Sequence, residues 1–147
     1  MIPASTPVSQ TAIPETVRQE IDAGSLFRIA SMDREKHQWQ SVINSVYALL
    51  AYRNDWDGLG SPAPDRDIVN SSIKLLSLLQ RTPNFPIPSR VTATPSGTVG
   101  IEWQSHAMYL EAEVVEPAIV EWMMIENGKP PVHHTFQGKR EIMGQLG

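Results

Sequence analysis

The chain has 147 residues, with 12 basic and 16 acidic side chains, a net charge of −4 and no cysteine. A domain of that length buries roughly 68–70% of its unfolded surface, so it can hold a conventional core without covalent staples. The missing cysteines exclude disulfides, thiolate metal sites and cysteine nucleophiles, and the scattered basic residues, with Lys139-Arg140 as the one adjacent pair, argue against direct nucleic-acid binding.

No apolar run approaches the ~18 residues of a bilayer span. Met1–Pro14 lacks the basic and apolar regions of a secretory signal, so the expectation is a cytoplasmic protein with no membrane partner. Residues 1–14, with Pro3, Pro7 and Pro14 among Ser, Thr and Gln, read as a flexible N-terminal arm. A short helical segment opens at Pro14-Glu15-Thr16, runs through Ile21 and is ended by Asp22-Ala23-Gly24. Leu26, Phe27 and Ile29 then make an apolar patch expected to rest on the main body.

Trp39, Val42, Ile43, Val46, Tyr47 and Leu50 recur at three- and four-residue steps, which predicts a helix from about Asp33 to Tyr52 with Asp33 as its N-cap. Ile68, Ser72, Leu75, Leu76 and Leu79 predict a second helix from about Asp65 to Gln80. Asp65 and Asp67 sit in its first turn and Arg81 in its last, as the helix dipole favours. Thr82-Pro83 stops it.

Beyond the connector Pro83-Asn84-Phe85-Pro86-Ile87-Pro88 the period changes to two. Arg90–Thr94, Val99–Gln104, Met108–Val115 and Ala118–Glu126 read as four strands joined by short turns, hence an antiparallel meander. Val99, Ile101 and Trp103, with Met108, Leu110, Ala112 and Val114, share the face expected toward the helices. Glu102, Glu111, Glu113 and Glu121 take the other face, beside Thr92, Thr94 and Tyr109. The fourth strand is apolar on both faces, so either the tail from Pro130 folds back over it or another subunit does. A homodimer on that edge is therefore a third option. The fold expectation is α+β: two main helices packed on one face of a four-stranded antiparallel meander sheet. Residues 1–14 form the arm, 15–129 the single domain and 130–147 a C-terminal tail.

The densest local signal is Asn54-Asp55-Trp56-Asp57-Gly58-Leu59-Gly60-Ser61-Pro62-Ala63-Pro64, between the two helices. Neither glycine gives an EF-hand register: with Gly58 at position six, position one is Arg53 and position twelve Pro64, and with Gly60 there position twelve is Arg66. The glycines lack P-loop spacing and its lysine. Asp55 and Asp57 at i and i+2 leave a Mg²⁺ or Mn²⁺ site as the alternative, with Glu35 or Asp65 as helpers. The structural reading makes the motif a clasp. Trp56 anchors it, Asp57 accepts backbone N–H bonds, Gly58 and Gly60 take positive φ, and Asp65 caps the second helix.

Trp56-Asp57-Gly58-Leu59-Gly60-Ser61-Pro62 resembles the Trp-Asp-Gly-x-Gly-Ala motif of a group of small bacterial proteins of uncharacterised function. Pro86-Ile87-Pro88, Thr94–Trp103 and Leu110-Glu111-Ala112-Glu113-Val114 are similar to the segments that follow in that group, so the resemblance covers about residues 40–126. Asp55 stands where the group has asparagine before the tryptophan, and Thr98 interrupts a double glycine. The resemblance implies a helix on each side of the motif and no assigned chemistry.

His37, His106, His133 and His134 show no zinc spacing, and no Gly-x-Ser-x-Gly elbow occurs. His133-His134 reads as an exposed pair. Paired carboxylates could serve glycoside hydrolysis, but that chemistry needs a cleft, which an open sheet face does not offer. Trp39, Trp56, Trp103 and Trp122 read as core and clasp residues. The function expected is a non-enzymatic adaptor or inhibitor of bacterial or phage origin, without cofactor, docking a basic protein partner. Its contact surfaces would be Glu102, Glu111, Glu113, Glu121 and Tyr109, together with the apolar edge strand. The alternative is a small metal-dependent hydrolase using Asp55 and Asp57.

Overall fold

The structure is a computed structural model that describes residues 23–138. The N-terminal arm, the short helix to Ile21 and Lys139-Arg140 lie outside the described residues. The described chain divides into two units between Lys36 and His37. Helix α1 spans Ala23–Ala48.

Helix α1 begins ten residues before the expected Asp33 cap, so Asp22-Ala23-Gly24 does not separate it from Leu26 and Ile29. Both of those residues are exposed, as is Met32. A single Gly costs only about 1 kcal/mol in a helix, too little to end one that long-range packing anchors further on. The chain tightens into a 3₁₀ turn at Leu49–Ala51 and leaves it at Tyr52. Helix α2 spans Arg66–Gln80, and Asp65 caps it by accepting the Asp67 N–H at 2.8 Å. Its buried side chains are Ile68, Val69, Ser72, Leu75, Leu76 and Leu79, the predicted stripe plus Val69. Ser72 is accommodated there because its hydroxyl donates to the Ile68 carbonyl.

The sheet has five antiparallel strands rather than four, in the order β1 (Arg90–Ala93), β2 (Val99–Gln104), β3 (Met108–Glu116), β4 (Ile119–Glu126) and β5 (Val132–Gln137). β5 comes from the segment read as a tail, and it pairs beside β4 instead of lying over it. Its sequence, Val-His-His-Thr-Phe-Gln, is short and mostly exposed, so it carries little alternation of its own. The backbone groups of β4 supply the template. That pairing closes the edge on which a homodimer was considered, and it corrects the idea of an apolar edge strand: β4 is an interior strand.

The registers settle the two faces. Ile101, Ala112 and Trp122 form one inner row, and Val99, Val114, Val120 and Phe136 another. These join Trp39, Ile43 and Val46 of α1, Leu49, and the buried stripe of α2 in one hydrophobic cluster. α2 contacts β2 and β3. Trp103 and Trp122 stack at 5.8 Å, Phe85 meets Trp103 edge-on, and Trp103 Nε1 donates to the Pro86 carbonyl at 2.8 Å. The tryptophans on the sheet are core residues, as expected.

Candidate functional site

The Asn54–Pro64 loop is held by its own side chains. Asp55 N–H donates to the Ser61 carbonyl at 2.7 Å, which brings the two ends of the loop together. Asp57 Oδ1 accepts the Leu59 N–H at 2.9 Å, and its Oδ2 accepts the Ser61 hydroxyl. The Ser61 hydroxyl above all, and then the Leu59 N–H, hold the Asp57 carboxyl below the usual aspartate range. Asp55 Oδ1 accepts the Gly60 N–H at 2.7 Å, and Asn54 Oδ1 accepts the Ala63 N–H at 3.0 Å. Trp56 packs half-buried against the core, with its Nε1 donating to the Pro62 carbonyl at 3.0 Å and its ring 5.4 Å from Tyr52.

Gly58 and Gly60 take φ values of 76° and 85°, as predicted, and Asp55 joins them at 67°. Aspartate and asparagine are the side chains that best tolerate that region, and either supplies the oxygen for the Gly60 N–H. A Cβ added to Gly97, in the β1–β2 turn, would lie 3.2 Å from Pro62 Cγ, so that turn sits against the clasp. Asp57 thus offers both carboxylate oxygens to its own loop, and Asp55 one. Among the described residues no group of three or more His, Cys, Asp or Glu converges to hold a metal.

The second acidic region is the outer face of the sheet. Register places Glu102 directly opposite Glu111, and Glu113 directly opposite Glu121. Arg90 heads the first row and binds Glu102 through Nη2 at 2.7 Å and Nε at 2.9 Å. The Tyr109 hydroxyl lies 2.9 Å from Glu102 and 2.8 Å from Glu111, so its single proton is shared between two carboxylates. Burial first, then those two carboxylates, push the Tyr109 hydroxyl well above the usual tyrosine range.

In the second row Thr94 and Thr98 form a hydroxyl relay. The Ser96 and Thr98 N–H groups donate to Thr94 Oγ1, the Thr94 hydroxyl donates to Thr98, and the Thr98 hydroxyl donates to Glu113. Glu121 is exposed and makes no hydrogen bond or ion pair among the described residues. Met123 and Ile125 lie on the same face, with Ile125 exposed.

The structure therefore brings together all five sheet residues named from sequence: Glu102, Glu111, Glu113, Glu121 and Tyr109. Sequence reasoning missed Arg90 and Thr98. Arg90 was findable, because it stands twelve residues before Glu102 in a hairpin whose turn had been located. Thr98 was noted only as an interruption of glycines, and its buried hydroxyl becomes meaningful once β3 is placed beside it. His133 and His134 are exposed on β5, opposite Met123 and Trp122 respectively, and therefore on opposite faces of the sheet. No helix among the described residues is long and apolar enough to cross a membrane. Comparison with protein-family models, curated proteins and solved structures finds no match.

Proposed function

We propose that the protein is a non-enzymatic interaction module, an adaptor or inhibitor, that docks a basic protein partner on the outer face of its sheet. In this reading the two helices cover the inner face and leave the outer one open. The observation that supports it is the two pairs of facing glutamates, Glu102 with Glu111 and Glu113 with Glu121, on three adjacent strands. Like charges directly opposite one another destabilise a sheet. Arg90, Tyr109 and Thr98 offset part of that cost, and Glu121 has no such relief. A partner's Lys and Arg side chains would neutralise the remainder, so binding is favoured by relief of repulsion as well as by new ion pairs. Tyr109, Met123 and Ile125 add apolar area among the acids, as docking surfaces require.

The test must separate charge from folding. Glu111 and Glu113 accept internal hydrogen bonds, so the informative variant is Glu111→Gln with Glu121→Lys, which keeps an acceptor at 111 and reverses the free charge. Binding of a fluorescent Lys/Arg-rich amphipathic peptide should weaken about tenfold or more in this variant and fall steeply with salt. Circular dichroism should remain that of the wild type. Equal affinity in a folded variant would sink the proposal.

A further inference from the structure

A second site lies where α2 meets the β3–β4 hairpin. Ser71, Lys74 and Leu78 of α2, together with Leu75, Ala118 and Val120, line a cavity of about 280 Å³. Its floor is apolar: Leu75 and Val120 are buried and Leu78 is half-buried. The rim carries one cation, since Lys74 is exposed and forms no ion pair or hydrogen bond among the described residues. We propose that this cavity binds a small apolar carboxylate, a short aliphatic chain ending in an anionic group, with the chain against Leu75, Leu78 and Val120 and the carboxylate at Lys74.

Three features support that occupant. The first is size: at about 280 Å³ the cavity lies just below the roughly 300–1,000 Å³ of drug-sized ligand sites, which suits a small ligand. The second is rigidity of the wall. Ala118 holds a φ of 62°, a left-handed conformation that residues bearing Cβ rarely adopt. Its backbone is pinned on both sides, its N–H donating to Ser71 Oγ at 3.3 Å and its carbonyl accepting the Gly138 N–H at 2.7 Å. A strained backbone held this firmly gives a preformed cavity, and preformed walls lower the cost of binding. The third is charge complementarity. Ser71 accepts the Ala118 N–H, so its own hydroxyl proton can turn to the ligand, and with Lys74 it offers two donors at the mouth of an otherwise apolar cavity.

Methyl NMR on the full chain, titrated with sodium octanoate and separately with 1-octanol, tests this. Octanoate should shift the methyls of Leu75, Leu78 and Val120 saturably, and octanol should bind about three- to fivefold more weakly, as expected for loss of one exposed ion pair. Lys74→Gln, a surface change that leaves the fold intact, should erase that preference. The proposal is overturned if those methyls do not shift, if the shifts map elsewhere, or if octanoate and octanol bind wild type equally. The failure of this site would leave the acidic-face reading untouched, because the two share no residue.

Discussion

In the Asn54–Pro64 clasp, Asp55 and Asp57 each accept N–H groups of their own loop. On the outer sheet face, by contrast, Glu113 stands opposite Glu121, and Glu102 opposite Glu111. Both regions concentrate acids in a small volume, yet their electrostatic logic is opposite. In the clasp the backbone donors converge on each carboxylate, so charge is stabilised locally and the loop gains a fixed shape. On the sheet the carboxylates face one another, and among the described residues Arg90, Tyr109 and Thr98 temper the repulsion. A carboxylate surrounded by internal donors is a structural part. Carboxylates held in place against mutual repulsion mark a surface that something outside can relieve.

The sharpest way to break that contrast is to remove the clasp's anchor. Trp56→Ala deletes a half-buried indole and its bond to Pro62, and should cost about 2–3 kcal/mol in urea denaturation. A loss under about 0.5 kcal/mol would mean that the loop shape does not depend on packing. Next come two glycines at similar backbone angles. Gly97→Ala meets Pro62 Cγ at 3.2 Å as well as an unfavourable φ of 80°, and should cost about 2 kcal/mol. Gly58→Ala has a φ of 76° in open space and should cost about 1 kcal/mol. Equal losses would show that the clasp does not bear on the β1–β2 turn.

The two regions should also part company in pH. Asp57 is held below the usual aspartate value, so its contribution is present above an unfolded pKa of about 4 and is lost as pH falls through the depressed folded value. Asp57→Asn should therefore lower the Tm at neutral pH, with the gap to wild type closing under acid, as thermal melts from about pH 3 to 7 would show. Tyr109 is raised instead, so its contribution is complete below about pH 10 and is lost as pH climbs toward the folded value. Tyr109→Phe should flatten that alkaline decline, which thermal melts from pH 9 to 11 would reveal. The smallest effect has the opposite sign. Glu121→Gln removes one of two facing charges and should raise stability by about 0.5 kcal/mol while weakening binding of a basic peptide. A destabilised Glu121→Gln would mean that the facing acids are structural after all.

Much of this was legible beforehand because the signals are local. The α2 stripe and the Asp65 cap follow from a 3.6-residue period and from a side chain next to the N–H it caps. β2 begins and ends at the predicted residues because its alternation is undiluted. The clasp's internal bonds span only two to nine residues, so Asp57 and both glycines could be assigned from their neighbours. Asp55 at positive φ was missed, since nothing about an aspartate announces left-handed backbone until the loop closes onto Ser61.

The amino-acid sequence alone determined the α+β class, the second helix, the first four strands, and the division of Glu102, Glu111, Glu113 and Glu121 from the apolar face. Each of these rests on periodicity or on contacts a few residues apart. Only the tertiary structure decided that α1 reaches back to Ala23, that Val132–Gln137 is a fifth strand, and that Thr98 reaches Glu113. It also decided that Ser71 meets Ala118 across 47 positions to form a cavity wall. Those features depend on partners far apart in the chain. A strand such as β5 has too little pattern to declare itself and becomes one because β4 presents unpaired backbone donors and acceptors beside it.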